Sequence, residues 1–147
     1  MKAEIKGPWS GAETDRFLRD STIPLRLACV GADGFPRVVS VWYLYRDEYF
    51  HCVTQRTSQL VAILQKSGRV GFEVAPNEPP YHGVRGQGIA DLGHDRDGAI
   101  LTRLLHRYLG GTESRLGQWL LSRADDEVLI TIRPQRLFTW DYRERMQ

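Results

Sequence analysis

Residues 25–45 read LRLACVGADGFPRVVSVWYLY and determine the kind of fold that this sequence adopts. Two segments rich in β-branched and aromatic residues, 25–30 and 36–45, flank the turn signal Ala32-Asp33-Gly34, so the stretch predicts an antiparallel β-hairpin. The second strand is apolar on both faces, which carry Val38, Trp42 and Leu44 on one side and Val39, Val41, Tyr43 and Tyr45 on the other. A strand with one wet face alternates apolar and polar residues. We therefore expect this strand to be covered on both sides, by a barrel interior and by a partner surface.

The chain on either side of the hairpin predicts further strands and a few short helices. Ser10 and Glu13 form a capping box that starts a helix over about 11–20. A strand over 49–54 would follow the hairpin and complete a three-stranded antiparallel meander. The next patterns predict a helix over 58–66 and strands over 69–75 and 81–92. Two helices are expected after them, one between Asp97 and Gly110 and one over 113–122 that buries Leu116, Trp119 and Leu120. The last two strands are predicted over 128–132 and 136–142, around Pro134.

These elements predict a mainly β fold in one domain, residues 1–147, with a helical N-terminal extension over about 1–20. The total is about seven strands and three or four short helices. Because strands follow one another without βαβ alternation, a small barrel is the natural way to remove exposed sheet edges. Three glycines in the 81–92 strand, Gly83, Gly86 and Gly88, indicate bends or a close approach by another group.

Composition and charge exclude several classes of function. Apolar residues make up 41% and charged residues 26% of the 147 residues, as in ordinary globular domains. The net charge of +2 comes from 20 basic and 18 acidic residues that are interleaved, so no basic face for nucleic acid is predicted. No apolar run approaches the ~20 residues of a membrane span, and no signal segment is visible. The sequence predicts a cytoplasmic protein that binds neither nucleic acid nor membrane, with Cys29 and Cys52 reduced.

Most motifs that would carry chemistry are incomplete in this sequence. Gly86-x-Gly88 lies inside a strand with no helix directly after it, so the requirement of a dinucleotide loop is unmet. Residues 94–98 lack the later ligands of a calcium loop. No metal site and no catalytic acid or base is predicted, and His51 and His82 are weak candidates for a ligand site.

Residues 54–58, Thr-Gln-Arg-Thr-Ser, carry the clearest signal for a binding site. A strand ends and a helix begins here, so free N–H groups, hydroxyls and the guanidinium of Arg56 would together form an anion site. The alternative is that Thr57 or Ser58 caps the helix while Arg56 is solvated.

The whole pattern resembles the FMN-binding split-barrel family, which comprises the pyridoxamine 5′-phosphate oxidase-like proteins and their deazaflavin-using relatives. The resemblance spans about residues 15–142. It rests on these motifs in order: Leu27-Ala28-x-Val30-Gly31-x-Asp33-Gly34-x-Pro36, Arg37-Val38-Val39-Ser40-Val41-Trp42, Thr54-x-Arg56-x-Ser58, Arg69-Val70, Pro80-Tyr81-x-Gly83-Val84-Arg85, Arg107-Tyr108-Leu109-Gly110, and Ile132-Arg133-Pro134 to Trp140-Asp141. It implies a six- to seven-stranded antiparallel split β-barrel with short flanking helices, and a homodimer with two equivalent cofactor sites at the subunit interface.

The resemblance also implies which residues bind the cofactor, FMN or the deazaflavin coenzyme F420. The residues that would hold the ribityl phosphate are Arg37, Val39, Ser40, Thr54, Arg56 and Ser58. The partner chain would close over the ring system with Arg85 and Gln87, and Trp42 and Tyr81 are candidate aromatic walls. Gln59 and Leu60 stand where the flavin-binding oxidases have phosphate-binding Arg and Lys. Gln59 stays among the candidate cofactor residues, and Leu60 is assigned to the site rather than to the core.

The function that this resemblance implies is a flavin- or deazaflavin-dependent oxidoreductase acting on a small organic acceptor. The alternative is a non-catalytic module that binds flavin, haem or another small ligand on the same barrel. Haem binding would require His51 or His82 at the iron. Reduction and reoxidation of a bound cofactor with an acceptor present would distinguish an enzyme from a carrier.

Overall fold

The computed structural model describes residues 2–147, which form eight β-strands and four α-helices. The strands are β1 (Glu4–Lys6), β2 (Leu25–Val30), β3 (Pro36–Val41), β4 (Leu44–Arg46), β5 (Tyr49–Gln55), β6 (Arg69–Val74), β7 (His82–His94) and β8 (Glu127–Asp141). The helices are α1 (Gly11–Asp20), α2 (Gln59–Lys66), α3 (Ala99–Leu109) and α4 (Arg115–Ser122), with 3₁₀ turns at Arg96–Gly98 and Ala124–Asp126. None of the helices in this described part is long and apolar enough to cross a membrane.

All the strands belong to one curled sheet. The strand order is β3-β2-β6-β7-β8-β5-β4, and β1 pairs with β8 outside this path. The β1–β8 pair is parallel and the other pairs are antiparallel. β3 and β4 lie at opposite ends of the order, yet only Trp42 and Tyr43 separate them along the chain. The sheet therefore forms a mainly β split barrel with a seam between β3 and the β4–β5 hairpin.

The core fills the inner face of this curled sheet. Phe50 lies at its centre, with its ring centroid 5.5 Å from that of Tyr43, 5.0 Å from Tyr45 and 4.9 Å from Phe72. A smaller apolar cluster that includes Leu44 and Leu104 packs α3 on the outside of β4 and β5. Helix α1 has the predicted capping box, in which Ser10 and Glu13 satisfy each other's main-chain N–H groups.

The predicted three-stranded meander is wrong, because the second strand ends at Val41 instead of residue 45. β3 pairs only with β2, and the chain then crosses to the other edge of the sheet, where β4 pairs with β5. Tyr43 supports the crossing: its main-chain N–H donates to Tyr108 Oη (3.2 Å), and its own hydroxyl donates to the Leu18 carbonyl (2.7 Å). The first of these bonds replaces a ladder bond that the Tyr43 main chain loses at the crossing, and the second anchors its side chain to the end of α1.

The single chain covers the inner face of β3, as expected, and leaves open the outer face, for which a partner surface is predicted. Val39 and Val41 pack against the core from the inner face. Val38 is 68% exposed on the outer face, beside Ala28 of β2. Within one chain the outer face of β3 is therefore an open apolar surface.

The predicted break at Pro134 is wrong, since β8 is one continuous strand. The pairing of β7 with β8 shifts register between Gln87 and Gly88, and Gly88 then lies opposite Pro134. A Cβ at Gly88 would lie 2.4 Å from the Arg133 carbonyl oxygen, so only glycine permits this approach. The resulting bulge accommodates a proline, which has no N–H to donate.

Helix α4 is packed through a different face from the predicted one. Leu116 and Trp119, expected to be buried, are 46% and 52% exposed, and Leu120 is half-buried. Gly117 is the buried residue of the helix, because its Cα lies against the main chain of Thr112. The apolar stripe of α4 therefore lies partly at the surface.

Candidate functional site

A cleft of about 380 Å³, which we call the seam cleft, opens where β3 faces the end of β5. Its walls come from both sides of the seam and from α3 and α4, and consist of Ser40, Val41, Trp42, Val53, Thr54, Gln55, Leu101, Leu104, Leu116, Leu120 and Glu127. The cleft brings together Ser40, Trp42 and Thr54, which are predicted cofactor residues. Ser40 lies on β3, Trp42 directly follows that strand, and Thr54 lies on β5. β3 and β5 are not hydrogen-bonded neighbours in the sheet. The curl of the sheet, and not local sequence, places them side by side.

An aromatic stack forms one wall of the seam cleft. The Trp42 ring lies parallel to that of Tyr108 on α3, with centroids 5.1 Å apart and planes inclined by 6°. The Tyr108 hydroxyl donates to the Ile23 carbonyl (3.0 Å). Burial raises the pKa of Tyr108, so the hydroxyl remains a proton donor in this bond. Trp42 is thereby held as a flat apolar surface.

The floor of the seam cleft is a buried carboxyl group. Gln55 and Glu127 are paired residues on β5 and β8. Gln55 Nε2 donates to Glu127 Oε1 (2.6 Å), and Arg123 Nη2 donates to Gln55 Oε1 (2.5 Å). Glu127 is 6% exposed, and its Oε2 is buried without a hydrogen-bond partner. Burial raises the pKa of Glu127, opposed by the Gln55 hydrogen bond and the Arg123 charge.

The predicted anion site at residues 54–58 is the corner between β5 and α2. Ser58 is the N-cap of α2, and its Oγ accepts from the Val61 N–H (3.2 Å). Arg37 reaches the same corner from β3, where its Nη1 donates to Gln59 Oε1 (3.4 Å). The other side of the Arg37 guanidinium pairs with Asp33 (3.3 Å). Arg37, Ser58 and Gln59 are thus close together beside the first turn of α2.

Arg56 is held at the edge of this corner by an ion pair. Its Nη2 lies 3.1 Å from Asp126 Oδ1, and both side chains are largely exposed. Its main-chain N–H donates to the Asp126 carbonyl (2.8 Å). The guanidinium is available to a ligand only in competition with Asp126.

Leu60 is a core residue, so its assignment to the site is wrong. It is 7% exposed and belongs to the main apolar cluster together with Leu64, one turn further along α2. The apolar spacing of Leu60, Ile63 and Leu64 therefore marks the buried face of the helix.

The other predicted cofactor residues lie away from the seam cleft. Arg85 projects from the outer face of β7, with its guanidinium 5.7 Å from the Phe138 ring centroid. Gln87, two residues along, lines a shallow groove of about 530 Å³ on that face. Tyr81 precedes β7, and its carbonyl accepts from the Tyr142 N–H (2.9 Å). Val39 points into the core. A role for Arg85 and Gln87 at the cofactor would need a second chain.

No sequence pattern predicts that Gln55 and Glu127 form the floor of the seam cleft. Asp125, Asp126 and Glu127 form an acidic run that is typical of a solvated turn, and Gln55 adds only a polar strand end. Gln55 and Glu127 come together only because β5 pairs with β8, two strands that are far apart in the chain.

The two histidines considered as haem ligands occupy different surroundings. His82 packs beside Trp9 and Phe17, with ring centroids 6.2 and 5.9 Å away. His51 lies half-buried on β5, where burial lowers its pKa. Across residues 2–147, no group of three or more His, Cys, Asp or Glu side chains is placed to hold a metal ion.

The sequence matches no protein-family model and no curated protein, but solved structures share its fold. The conserved hypothetical protein Rv2991 from Mycobacterium tuberculosis aligns with a TM-score of 0.81 and 23% identity, over 99% of this chain and 92% of that one. An F420 reductase aligns with a TM-score of 0.68 and 25% identity, over 82% and 92%. A candidate pyridoxamine 5′-phosphate oxidase from Listeria innocua aligns with a TM-score of 0.67 and 15% identity, over 87% and 95%.

These similarities extend over most of each chain, so they concern the complete barrel and not one hairpin. They agree with the curled sheet, its seam and the flanking helices. The chain therefore has the split-barrel fold of the pyridoxamine 5′-phosphate oxidase-like proteins.

Proposed function

We propose that this protein binds a flavin-type cofactor, FMN or coenzyme F420, at the seam cleft of a homodimer and acts as an oxidoreductase on a small organic acceptor. The observation that carries the proposal is the cleft itself, where Ser40, Trp42 and Thr54 meet across unpaired strands. The F420 reductase with the same fold supports a cofactor of this class.

The corner beside the cleft fits the phosphate of such a cofactor. Arg37 supplies a guanidinium at the first turn of α2. The first N–H groups of a helix have no partner within the helix, and the Ser58 side chain occupies only that of Val61. Gln59 and Leu60 bring no positive charge, and Arg56 is shared with Asp126. Arg37 also pairs with Asp33, but its Nη1 is directed at Gln59 on the first turn of α2, so we expect Arg37 to contribute most of the charge that binds the phosphate.

A bound flavin or deazaflavin supplies hydride transfer, and the protein supplies binding and orientation. Ser40 Oγ accepts from Arg26 Nη1 (2.8 Å), which leaves its hydroxyl hydrogen free for a ligand. Trp42, fixed by Tyr108, provides a flat wall for a planar ring. The leucines of α3 and α4 give the cleft an apolar wall.

Arg37→Ala is expected to weaken FMN and F420 binding by about 10- to 150-fold, since one charge-assisted hydrogen bond contributes roughly 1.5–3 kcal/mol. Arg56→Ala should have a smaller effect, because the Arg56 guanidinium is directed at Asp126 at the edge of the corner, whereas Arg37 Nη1 is directed at Gln59 on α2. Fluorescence titration of both cofactors into each variant measures this. Arg16→Ala, which removes an arginine from a separate surface pocket beside Trp9, is the matched control. Wild-type protein that binds neither cofactor, or equal affinities for wild type and Arg37→Ala, would contradict the proposal.

The proposed homodimer is supported by exposed apolar side chains of the β2–β3 hairpin. Val30, Phe35 and Val38 are 60%, 70% and 68% exposed. Val30 also lines the groove that contains Gln87 on the outer face of the sheet. An exposed apolar surface of this kind is typical of an interface, and a second copy packed there would lie next to Gln87.

Val38→Glu is expected to convert the dimer to a monomer of 16.9 kDa, because it places a charge in the proposed interface at a position already exposed in the single chain. Light scattering after size-exclusion chromatography measures the mass. Leu109→Glu, at an exposed apolar position at the end of α3, should remain dimeric. A wild-type monomer at micromolar concentration would refute the dimer.

A further inference from the structure

The seam cleft combines apolar walls with one unsatisfied carboxyl oxygen. Leu101, Leu104, Leu116 and Leu120 line one side, and Glu127 lies at the floor. Buried polar atoms in folded proteins nearly always have hydrogen-bond partners, since leaving one unpaired costs free energy. Glu127 Oε2 has none within the described residues. A ligand that donates a hydrogen bond would satisfy it.

The surrounding groups hold Glu127 in place without neutralising it. Gln55 binds only Oε1, and Arg123 binds Gln55 instead of the carboxyl group. The Arg123 guanidinium also lies over the Trp119 ring, 4.5 Å from its centroid. The arginine therefore orients the amide, and the second carboxylate oxygen is left buried without a hydrogen-bond partner.

The charges around the floor favour a cation over an anion. Asp95 and Asp126 act on Glu127 as negative neighbours, and Arg123 is the positive one. An ammonium group at Oε2 would gain a charge-assisted hydrogen bond in a site shielded from water. A carboxylate or phosphate there would meet a like charge.

We propose that the seam cleft binds a small organic ammonium ion, whose nitrogen donates to Glu127 Oε2 and whose apolar body packs against the leucines of α3 and α4. The cleft volume of about 380 Å³ lies at the lower end of the range for small-molecule sites. Naming this ligand as the substrate rests on the proposed function, because Ser40, Trp42 and Thr54 would place the cofactor beside it. Binding of the ammonium ion itself needs no cofactor.

The test is calorimetric titration of the 147-residue protein with three matched probes, 1-naphthylmethylamine, 1-naphthalenemethanol and 1-naphthoic acid. Wild type should bind the amine most tightly and the acid least. Glu127→Gln keeps an Oε1 acceptor for Gln55, so it should fold, and should bind the amine at least tenfold more weakly while binding the alcohol as before. Asp125→Asn, which removes an exposed charge two residues away, should bind the amine like wild type.

Two further measurements distinguish a specific contact between the amine and Glu127 from nonspecific binding of the amine to the cleft. Leu116→Ala, at an exposed cleft position, should weaken the amine and the alcohol by the same factor. Because burial raises the pKa of Glu127, lowering the pH neutralises this carboxylate sooner than it would an exposed one. Amine affinity of wild type should therefore fall from pH 8 to pH 5, and that of Glu127→Gln should change much less.

Equal amine affinity for wild type and Glu127→Gln would overturn the proposal, and so would the absence of amine binding to wild type. These outcomes are independent of the cofactor titration, since the probes are added without flavin or deazaflavin. Cofactor binding without amine binding would refute only this inference. Amine binding without cofactor binding would refute only the proposed function.

Discussion

Leu60→Lys is expected to destabilise the protein by several kcal/mol and to leave FMN binding no tighter than in wild type. Leu60 is 7% exposed within the main apolar cluster. An ammonium group placed there is buried without a partner, which costs several kcal/mol. Urea denaturation gives the change in the free energy of unfolding, and an FMN titration gives the affinity. The family resemblance aligns Leu60 with a phosphate-binding lysine, but in this chain the helix presents that position to the core.

The adjacent position provides the matched control for this result. Gln59 is exposed and already contacts Arg37, so Gln59→Lys should change stability by less than about 0.5 kcal/mol. It adds a positive charge to the proposed phosphate corner and should tighten FMN binding. A stable Leu60→Lys variant with higher FMN affinity would show that Leu60 faces the phosphate.

Arg107→Met is expected to destabilise the protein by roughly 3 kcal/mol or more, because hydrogen bonds to a charged group contribute roughly 1.5–3 kcal/mol each. The Arg107 guanidinium on α3 donates to the main-chain carbonyls of Leu18, Arg19 and Ser21 at the end of α1. It also lies over the Tyr43 ring, 4.7 Å from the centroid. Methionine keeps the apolar stem but removes all three guanidinium bonds, and the Leu18 carbonyl then accepts only from the Tyr43 hydroxyl. Urea denaturation measures the loss.

Arg103→Met removes an exposed arginine from the same helix and should change stability little. If both variants lost the same stability, net charge or helix propensity would be responsible, and the capping of α1 by Arg107 would be refuted.

Local signals in the sequence predict the elements of this fold better than their arrangement. The Ser10–Glu13 capping box and the apolar spacing of α2 and α3 depend on residues within a few positions of each other, and each helix is present. The meander prediction was wrong because pairing of β3 with β5 was inferred from adjacency in sequence. Tyr43 leaves the sheet because residues distant in sequence accept its hydrogen bonds: Tyr108 accepts from its main-chain N–H, and the Leu18 carbonyl accepts from its hydroxyl. No local pattern encodes those partners.

The same distinction holds for the candidate site. Ser40, Trp42 and Thr54 were predicted from a family resemblance, and the curl of the sheet brings them to one cleft. Glu127 was not predicted, because a glutamate after two aspartates resembles a solvated turn until β8 pairs with β5. Arg85 and Gln87 lie on the outer face of the sheet, so their predicted role depends on the dimer.

Amide chemical shifts of the ¹⁵N-labelled protein test most directly whether a flavin-type cofactor binds at the seam. On addition of FMN or F420, we expect the largest shifts in residues 37–42 and 54–59, on the two sides of the seam cleft. Smaller shifts are expected at residues 85–87 if the dimer brings them to the cofactor. Absence of shifts with both cofactors, or shifts confined to α1 and residues 142–147, would contradict cofactor binding at the seam.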